Sequence, residues 1–487
     1  MSLAGRFKHA LLVNRTWKQI VLKNMVWATL AEAIVRGLKL LVLPVVARAF
    51  GPAQFGQFAF AYAFASMFDV VYDSGLALTT TRELAADGRN EKLLPDILLM
   101  KVALGVVGMS ALGLGMVLIT RDQATRISIV VLGIAFFVLE MVSFAFSVFR
   151  ARQRMEYEFL VRIAQAVFLL SAVGMVAWRA PTVLNVSYAY LVSGLMTLGL
   201  AVAVMPGGLW QVRRRIRGEV WVKLLRIALP LALAGGATTI YMNVDSVMLG
   251  AFGKITETGW YNLATRITGI LLVPTGLLST VIFPAFASTA SDVGQTFRRR
   301  WDAWSAGMIA IGFYVAFAVL ATSDRIVQVV FGSDFHPTSL VLKILVVTVL
   351  LIFLYTPSYQ AMIVFDQQRP LFWTLLAGAV INVLLNLVLI PSYGMYGSAW
   401  ATVATHVVIL CTLLVLAGRR TPLRPVNAAW VGALIGSGIA GALAYLAMLA
   451  VGRMWWLAIP LGGLVFAGCL LGLRRSGLPA ASAWSSG

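Results

Sequence analysis

Charge is scarce in this 487-residue chain, where Asp, Glu, Lys and Arg together make up only 12%. A soluble protein of this length needs far more polar surface, so lipid must be the solvent for most of it. Acids are the scarcer sign, 19 against 39 bases, which leaves a formal net charge of +20. Such an excess can serve nucleic acid. Here the bases fall in short clusters between apolar runs and not along one face or tail, which argues against that partner. Cysteine is almost missing. Cys411 and Cys469 both lie inside apolar runs and point to neither a disulfide framework nor a metal site. His9, His336 and His406 are scattered and form no ligand pattern, so no metal or other cofactor is expected. Long polar connections are lacking too. No extramembrane domain is expected, and any function must operate within the bilayer or at its faces.

What is present is apolar sequence: 60% of residues are hydrophobic and the mean hydropathy is +0.87. Runs long enough to span a membrane fall near 24–48, 58–78, 97–119, 127–149, 159–178, 186–205, 226–250, 260–286, 303–322, 339–363, 371–390, 396–417, 428–450 and 455–473. At about 20 residues per span this makes about fourteen transmembrane helices, an all-α polytopic membrane protein. The first run is too long for a cleaved signal and contains Glu32, Arg36 and Lys39, so it reads as an uncleaved span. Residues 3–21 fit either a basic amphipathic surface helix or a disordered tail.

Basic residues alternate between connections. One side carries Arg82, Arg89 and Lys92, then Arg150, Arg152 and Arg154, Arg213 to Arg217, Arg298 to Arg300, Arg369, and Arg419, Arg420 and Arg424. The other side carries few. The positive-inside rule then places both termini in the cytoplasm.

A short phrase occurs twice. Ala49-Phe50-Gly51 leads to Gly56-Gln57-Phe58-Ala59-Phe60-Ala61, and Ala251-Phe252-Gly253 leads to Gly259-Trp260-Tyr261-Asn262-Leu263-Ala264. Both copies lie on the expected outer side, between spans one and two and between spans seven and eight. Gln153-Arg154 after span four matches Gln368-Arg369 after span ten. Generic tight turns can produce such matches, but position and sidedness agree with a duplication of six-helix lobes. The expected organisation is therefore a basic segment over 1–23, a first lobe over 24–205, a basic cytoplasmic linker over 206–225 and a second lobe over 226–417. Spans thirteen and fourteen over 428–473 and a cytoplasmic tail over 474–487 complete it. Gly432 and Gly436 read as close helix packing.

Ionised side chains inside spans cost about 2.5–3.5 kcal/mol each on insertion scales and should be paired or line a wet cavity. Glu32, Arg36 and Lys39 of span one fall within an arc of about 60°. Asp69 and Asp73 of span two share a stripe with Tyr62 and Ser66. Glu140 lies in span four, Asp245 in span seven, Asn262 and Arg266 in span eight, and Asn382 and Asn386 in span eleven. One reading is a water-filled central cavity in which Arg36, Lys39 and Arg266, with Asn262, bind an anionic head group, since guanidinium grips phosphate bidentately. Glu32, Asp69, Asp73, Glu140 and Asp245 then neutralise these bases or bind a coupling cation, a proton or sodium ion. The other reading is structural: Glu32 closes on Arg36, Asp69 and Asp73 pair with a base of a neighbouring span, and the asparagines bond between helices.

The residues Ala47-Arg48-Ala49-Phe50-Gly51-Pro52-Ala53-Gln54-Phe55-Gly56 resemble the first-hairpin signature of Wzx-type polysaccharide-repeat-unit flippases. These belong to the multidrug/oligosaccharidyl-lipid/polysaccharide (MOP) superfamily. Asp73-Ser74-Gly75-Leu76 with Arg82-Glu83-Leu84-Ala85 is similar to that family's next motif. So are Asp245 with Gly259, Tyr261 and Arg266, then Phe283-Pro284-Ala285, and Asn382 and Asn386 followed by Ile390-Pro391. The resemblance implies a two-lobed fold of fourteen helices. It also implies alternating access that carries undecaprenyl-diphosphate-linked oligosaccharide from the inner to the outer leaflet of the bacterial cytoplasmic membrane. A glycan polymerase or export complex would be a partner, and the basic patches would contact anionic lipids. A flippase for the peptidoglycan lipid precursor is not separated from this by sequence. A multidrug cation antiporter would favour an acidic, aromatic cavity. A polytopic glycan polymerase or glycosyltransferase would need a large catalytic loop, which the chain lacks, so a non-enzymatic role is expected.

Overall fold

The computed structural model describes residues 17–86, 92–205, 218–289, 293–451 and 454–475. Those residues form fourteen helical spans and no strand. The first compact unit ends at Ala251 and the second begins at Phe252. Nine helical segments among the described residues are long and apolar enough to cross a membrane, among them 255–287, which is broken at Leu272, and 368–420, which fuses two spans across Gly394. The last apolar helix, Trp456–Gly472, is shorter.

In the first unit, α1 (Trp17–Ser66) holds span one and the start of span two, kinked at Gly51 with φ 69°. A positive φ suits glycine, and Pro52 just after it starts a helix without losing a bond. Span two then breaks twice, into α2 (Asp69–Asp73) and α3 (Leu76–Ala86). Beyond it run α4 (Leu94–Ile119), α5 (Gln123–Ala151), α6 (Met155–Arg179), α7 (Val183–Ala203) and α8 (Gly218–Ala251). The seventh span, α8, packs inside this first unit, although the sequence duplication groups it with the second lobe. It lies against the broken second span with glycine at the contacts. A Cβ on Gly75 would strike the Ala228 carbonyl, one on Gly236 would meet Val70, and one on Gly250 would meet Phe60. Apart from Lys23, the side chains of the expected basic segment, and most of those of the 206–225 linker, lie outside the described residues.

The second unit contains α9 (Ile255–Leu271), α10 (Val273–Ala287), α11 (Gln295–Phe331), α12 (His336–Val364), α13 (Gln368–Arg420), α14 (Ala428–Ala450) and α15 (Trp455–Arg475). Pro274 explains the break of span eight at Leu272, since it cannot continue the preceding hydrogen bonds. Spans eleven and twelve fuse in α13 across Gly394, φ 55°. The added helices dock on α11: Gly441 lies against Phe317, and Tyr314 donates its hydroxyl to the Ile459 carbonyl at 2.8 Å. Gly432 and Gly436 are buried.

The repeated phrase has repeated geometry. Gly253, the counterpart of Gly51, has φ 76°. Spans four and ten also end alike. Gln153 and Asp366 are left-handed, and the next residue closes a six-to-one bond, Arg154 N–H to Phe149 O at 2.8 Å and Gln367 N–H to Met362 O at 2.6 Å. The structural partner of Gln153 is thus Asp366. The sequence match to Gln368 is two residues out of register, because similarity of side chains tracked the arginine and not the cap.

Candidate functional site

Span two carries two acids because its helix is interrupted around them. Met67 and Phe68 form a turn, Ser74 is left-handed at φ 45° and Gly75 follows at 75°. A single polar stripe through Tyr62, Ser66, Asp69 and Asp73 therefore does not exist, since the 100° spacing is lost at the first break. Asp73 caps the next helix, accepting the Ala77 N–H at 3.0 Å. The same Oδ1 accepts from Lys101 Nζ at 2.9 Å. Lys101, fully buried in α4, also reaches Glu140 Oε2 of α5 at 3.0 Å. Asp69, one turn before Asp73, is half-buried. Three helices are thereby joined by one ammonium group, the kind of pairing that buried ions require.

Lys101 escaped the sequence reading, although the predicted span 97–119 contains it. The same rule that flags an acid in a span flags a lysine there, and the unmatched Asp73 and Glu140 called for one.

A second ionic group lies where α1, α5 and α6 meet. Arg150 grips Glu158 with two bonds, at 2.8 and 2.6 Å. Arg162 binds Glu158 at 2.9 Å and Glu32 at 3.4 Å, with its guanidinium 5.3 Å from the Phe146 ring centre. Lys23 pairs with Glu156 at 3.1 Å. Glu32, expected in the cavity set, is thus a partner of Arg162. The side chains of Arg36 and Lys39 lie outside the described residues.

In the first unit Asp245 is half-buried. In the second, Asn262 is buried and Arg266 is exposed. Asn386 Nδ2 donates to Asn382 Oδ1 one turn before it at 3.1 Å, and His406 Nδ1 lies 3.3 Å from the Tyr355 hydroxyl. Among the described residues no group of His, Cys, Asp and Glu forms a metal site.

Each unit also carries a tie at the end where the repeated phrase sits. Gln57 Nε2 donates to Asp122 Oδ2 and to Thr125 Oγ1, both at 2.8 Å. Asp122 also caps α5, accepting the Thr125 hydroxyl at 2.6 Å and its N–H at 2.8 Å. Those bonds from Thr125, hydroxyl first, hold the Asp122 carboxyl below the usual aspartate range. Trp260, the counterpart of Gln57, donates its indole N–H to the Asp334 carbonyl at 3.0 Å. Glu257 accepts the Met395 N–H at 2.7 Å, which secures the kink of α13.

A family model described as polysaccharide biosynthesis protein matches residues 21–290. An uncharacterized membrane protein of Methanocaldococcus jannaschii is 20% identical over 403 residues, 79% of this chain and 95% of its own length. The probable low-salt glycan biosynthesis flippase Agl15 of Haloferax volcanii is 27% identical over 172 residues, 34% of this chain and 36% of its own. Among solved structures, the lipid II flippase MurJ in an inward closed conformation aligns with a TM-score of 0.70. The alignment covers 92% of this chain and 99% of that one at 13% identity. An inward-facing multidrug resistance MATE family transporter of the MOP superfamily aligns at 0.60, covering 93% and 100%, at 12% identity. At such identities these structures establish the fold, which is that of the MOP superfamily.

Proposed function

We propose, from the premise that this chain belongs to the polysaccharide biosynthesis protein family, that it is a flippase for polyprenyl-diphosphate-linked oligosaccharide. The observation that carries the reading is that family membership combined with a MOP fold over nearly the whole chain. The family supports a glycan cargo, and the fold supports passage through the membrane in place of bond chemistry. The name of the Haloferax relative, a probable glycan biosynthesis flippase, supports the same cargo class. The direction is from the inner to the outer leaflet of a bacterial cytoplasmic membrane, with both termini cytoplasmic as the alternating basic connections favour.

In this reading Arg36, Lys39 and Arg266, with Asn262, hold the diphosphate, and the polyprenyl tail stays in lipid. A cargo shifts the inward–outward balance only by its different affinity for the two states. Asp73, Glu140 and Glu32 serve first as counter-charges to Lys101 and Arg162. Coupling to a proton or sodium ion therefore has to compete with those resident cations; Asp69 and Asp245 complete the acid set. The test is glycan display by a strain lacking this gene and complemented with Arg36→Gln or Arg266→Gln. Each should cut display on the order of tenfold at unchanged membrane level, as lost charge-assisted bonds predict. Full display with both variants removes these residues from the role.

One observation favours a second cargo class. Phe136 and Tyr190 each meet Tyr62 edge-on in the first unit, with centroids 5.1 and 5.7 Å from it. Aromatic rings suit organic cations, so efflux of a cationic dye without any effect on glycan display would favour a multidrug antiporter.

A further inference from the structure

The second unit gathers arginine at one end. Arg298, Arg299 and Arg300 open α11, Arg369 opens α13, Arg419 and Arg420 close it, and Arg424 follows; all are exposed. Printed geometry brings these stretches together. Phe297 meets Phe365, in the turn before Arg369, edge-on with centroids 6.2 Å apart. Asn427 Nδ2, in the connection after Arg424, donates to Asp302 Oδ1 at 2.9 Å, just past Arg300. Beneath them Phe286, Phe297, Trp301 and Trp304 form one aromatic cluster, with Phe286 5.2 Å from Phe297 and 5.1 Å from Trp301. The described acids at this end are Asp302, engaged by Asn427, and Asp366, so the arginines outnumber the acids by seven to two.

The surface also has an apolar edge. Trp373 lies one turn after Arg369, on the same face, and is 58% exposed; the neighbouring Phe372 is 48% exposed and packs edge-on against it at 5.4 Å. Aromatic rings of this kind sit at the boundary between acyl chains and head groups, while an arginine one turn away reaches the phosphate layer.

We propose that this end of the second unit is a binding surface for anionic phospholipid. The arginines contact the phosphodiester and the Phe372–Trp373 edge lies along the acyl chains. Charge complementarity commits it to a negatively charged head group, and the aromatic edge commits that group to a lipid of the surrounding leaflet. Phosphate oxygens accept from guanidinium in pairs, and each base near an anionic surface adds to the attraction. This surface is separate from the proposed cargo residues, so its test does not depend on which glycan is carried.

The test uses the full chain purified in detergent and counts bound lipid by native mass spectrometry. Phosphatidylglycerol, phosphatidylcholine and a polyprenyl diphosphate are offered at equal concentration. The wild type should prefer phosphatidylglycerol to phosphatidylcholine on the order of tenfold or more, and added salt should erode the preference. The variant Arg298→Gln/Arg299→Gln/Arg300→Gln/Arg369→Gln should lose it. The same four changed to Lys should keep most of it, which separates lost charge from failed folding. A control, Arg121→Gln/Arg179→Gln in the first unit, should retain it. Equal binding of the two phospholipids, an unchanged preference in the Gln variant, or loss of polyprenyl diphosphate but not of phosphatidylglycerol in that variant overturns the proposal.

Discussion

At the scale of single residues the controlling feature is Lys101. Its ammonium is fully buried and bound to carboxylates of two other helices, at 2.9 and 3.0 Å. Removing one partner of a buried ionic group strands the others, a larger effect than the net worth of the group itself. Lys101→Met should therefore destabilise the first unit by about 3 kcal/mol. The loss would appear in thermal unfolding of the purified protein and as a lower membrane level. Lys101→Met/Glu140→Gln should recover part of that loss by removing a stranded charge. If the double variant is no more stable than the single one, the two residues are not coupled as described. Asp122 offers a second residue-scale prediction, this time in pH. Its carboxyl is held below the ordinary 3.8 by the bonds from Thr125. A depressed carboxyl stabilises the fold fully above the unfolded value and loses that effect as pH falls through the folded value. Wild type and Asp122→Asn should therefore differ by a constant amount near neutrality. The gap should close only below about pH 4. A gap that closes already near pH 6 contradicts the assignment.

At the scale of elements, breaks in helices do the positioning, and these were the hardest features to read from sequence. The spans followed from apolar length alone, and Gly51 and Gly253 from the repeated phrase. The first break of span two, at Met67 and Phe68, was hidden because no glycine or proline marks it; the second falls at the left-handed pair Ser74 and Gly75, of which only the glycine is a visible signal. Gln153 and Asp366 were opaque for the same reason, as non-glycine residues in caps that favour glycine. Among the site residues, the acids were legible as costs in a membrane, but their partners depended on which helices touch. Lys101 was legible by that same rule and was passed over. Gly394 permits a direct test at this scale. Its φ of 55° suits glycine, and a Cβ there would run into the Glu257 carboxylate that holds the Met395 N–H. Gly394→Ala should cost about 2 kcal/mol through strain, before any loss of that bond. Unfolding measurements on the variant that show no loss would mean the kink does not rely on a left-handed residue.

At the scale of the whole molecule, the two units share a device that their sequences only hinted at. The same position of the repeated phrase, Gln57 in one unit and Trp260 in the other, ties its hairpin to the connection before span four or span ten. The chemistry differs: an amide on a carboxylate in the first, an indole on a backbone carbonyl in the second. Duplication explains the shared position, and later divergence explains the different atoms, because only the closeness of the two segments has to be kept. Since each tie lies within its own unit, the effects of breaking them should be local and additive. Gln57→Ala should speed amide exchange around residues 120–126 and leave 333–338 unchanged, and Trp260→Phe should do the reverse. Phe keeps an aromatic ring but lacks the pyrrole ring with its N–H, so this second change removes that bond, worth about 1 kcal/mol and hence several-fold in exchange, together with some packing. Hydrogen exchange read by mass spectrometry on both variants and their combination decides the matter. If either change loosens both connections together, the ties are parts of one cooperative gate and not two inherited local clips.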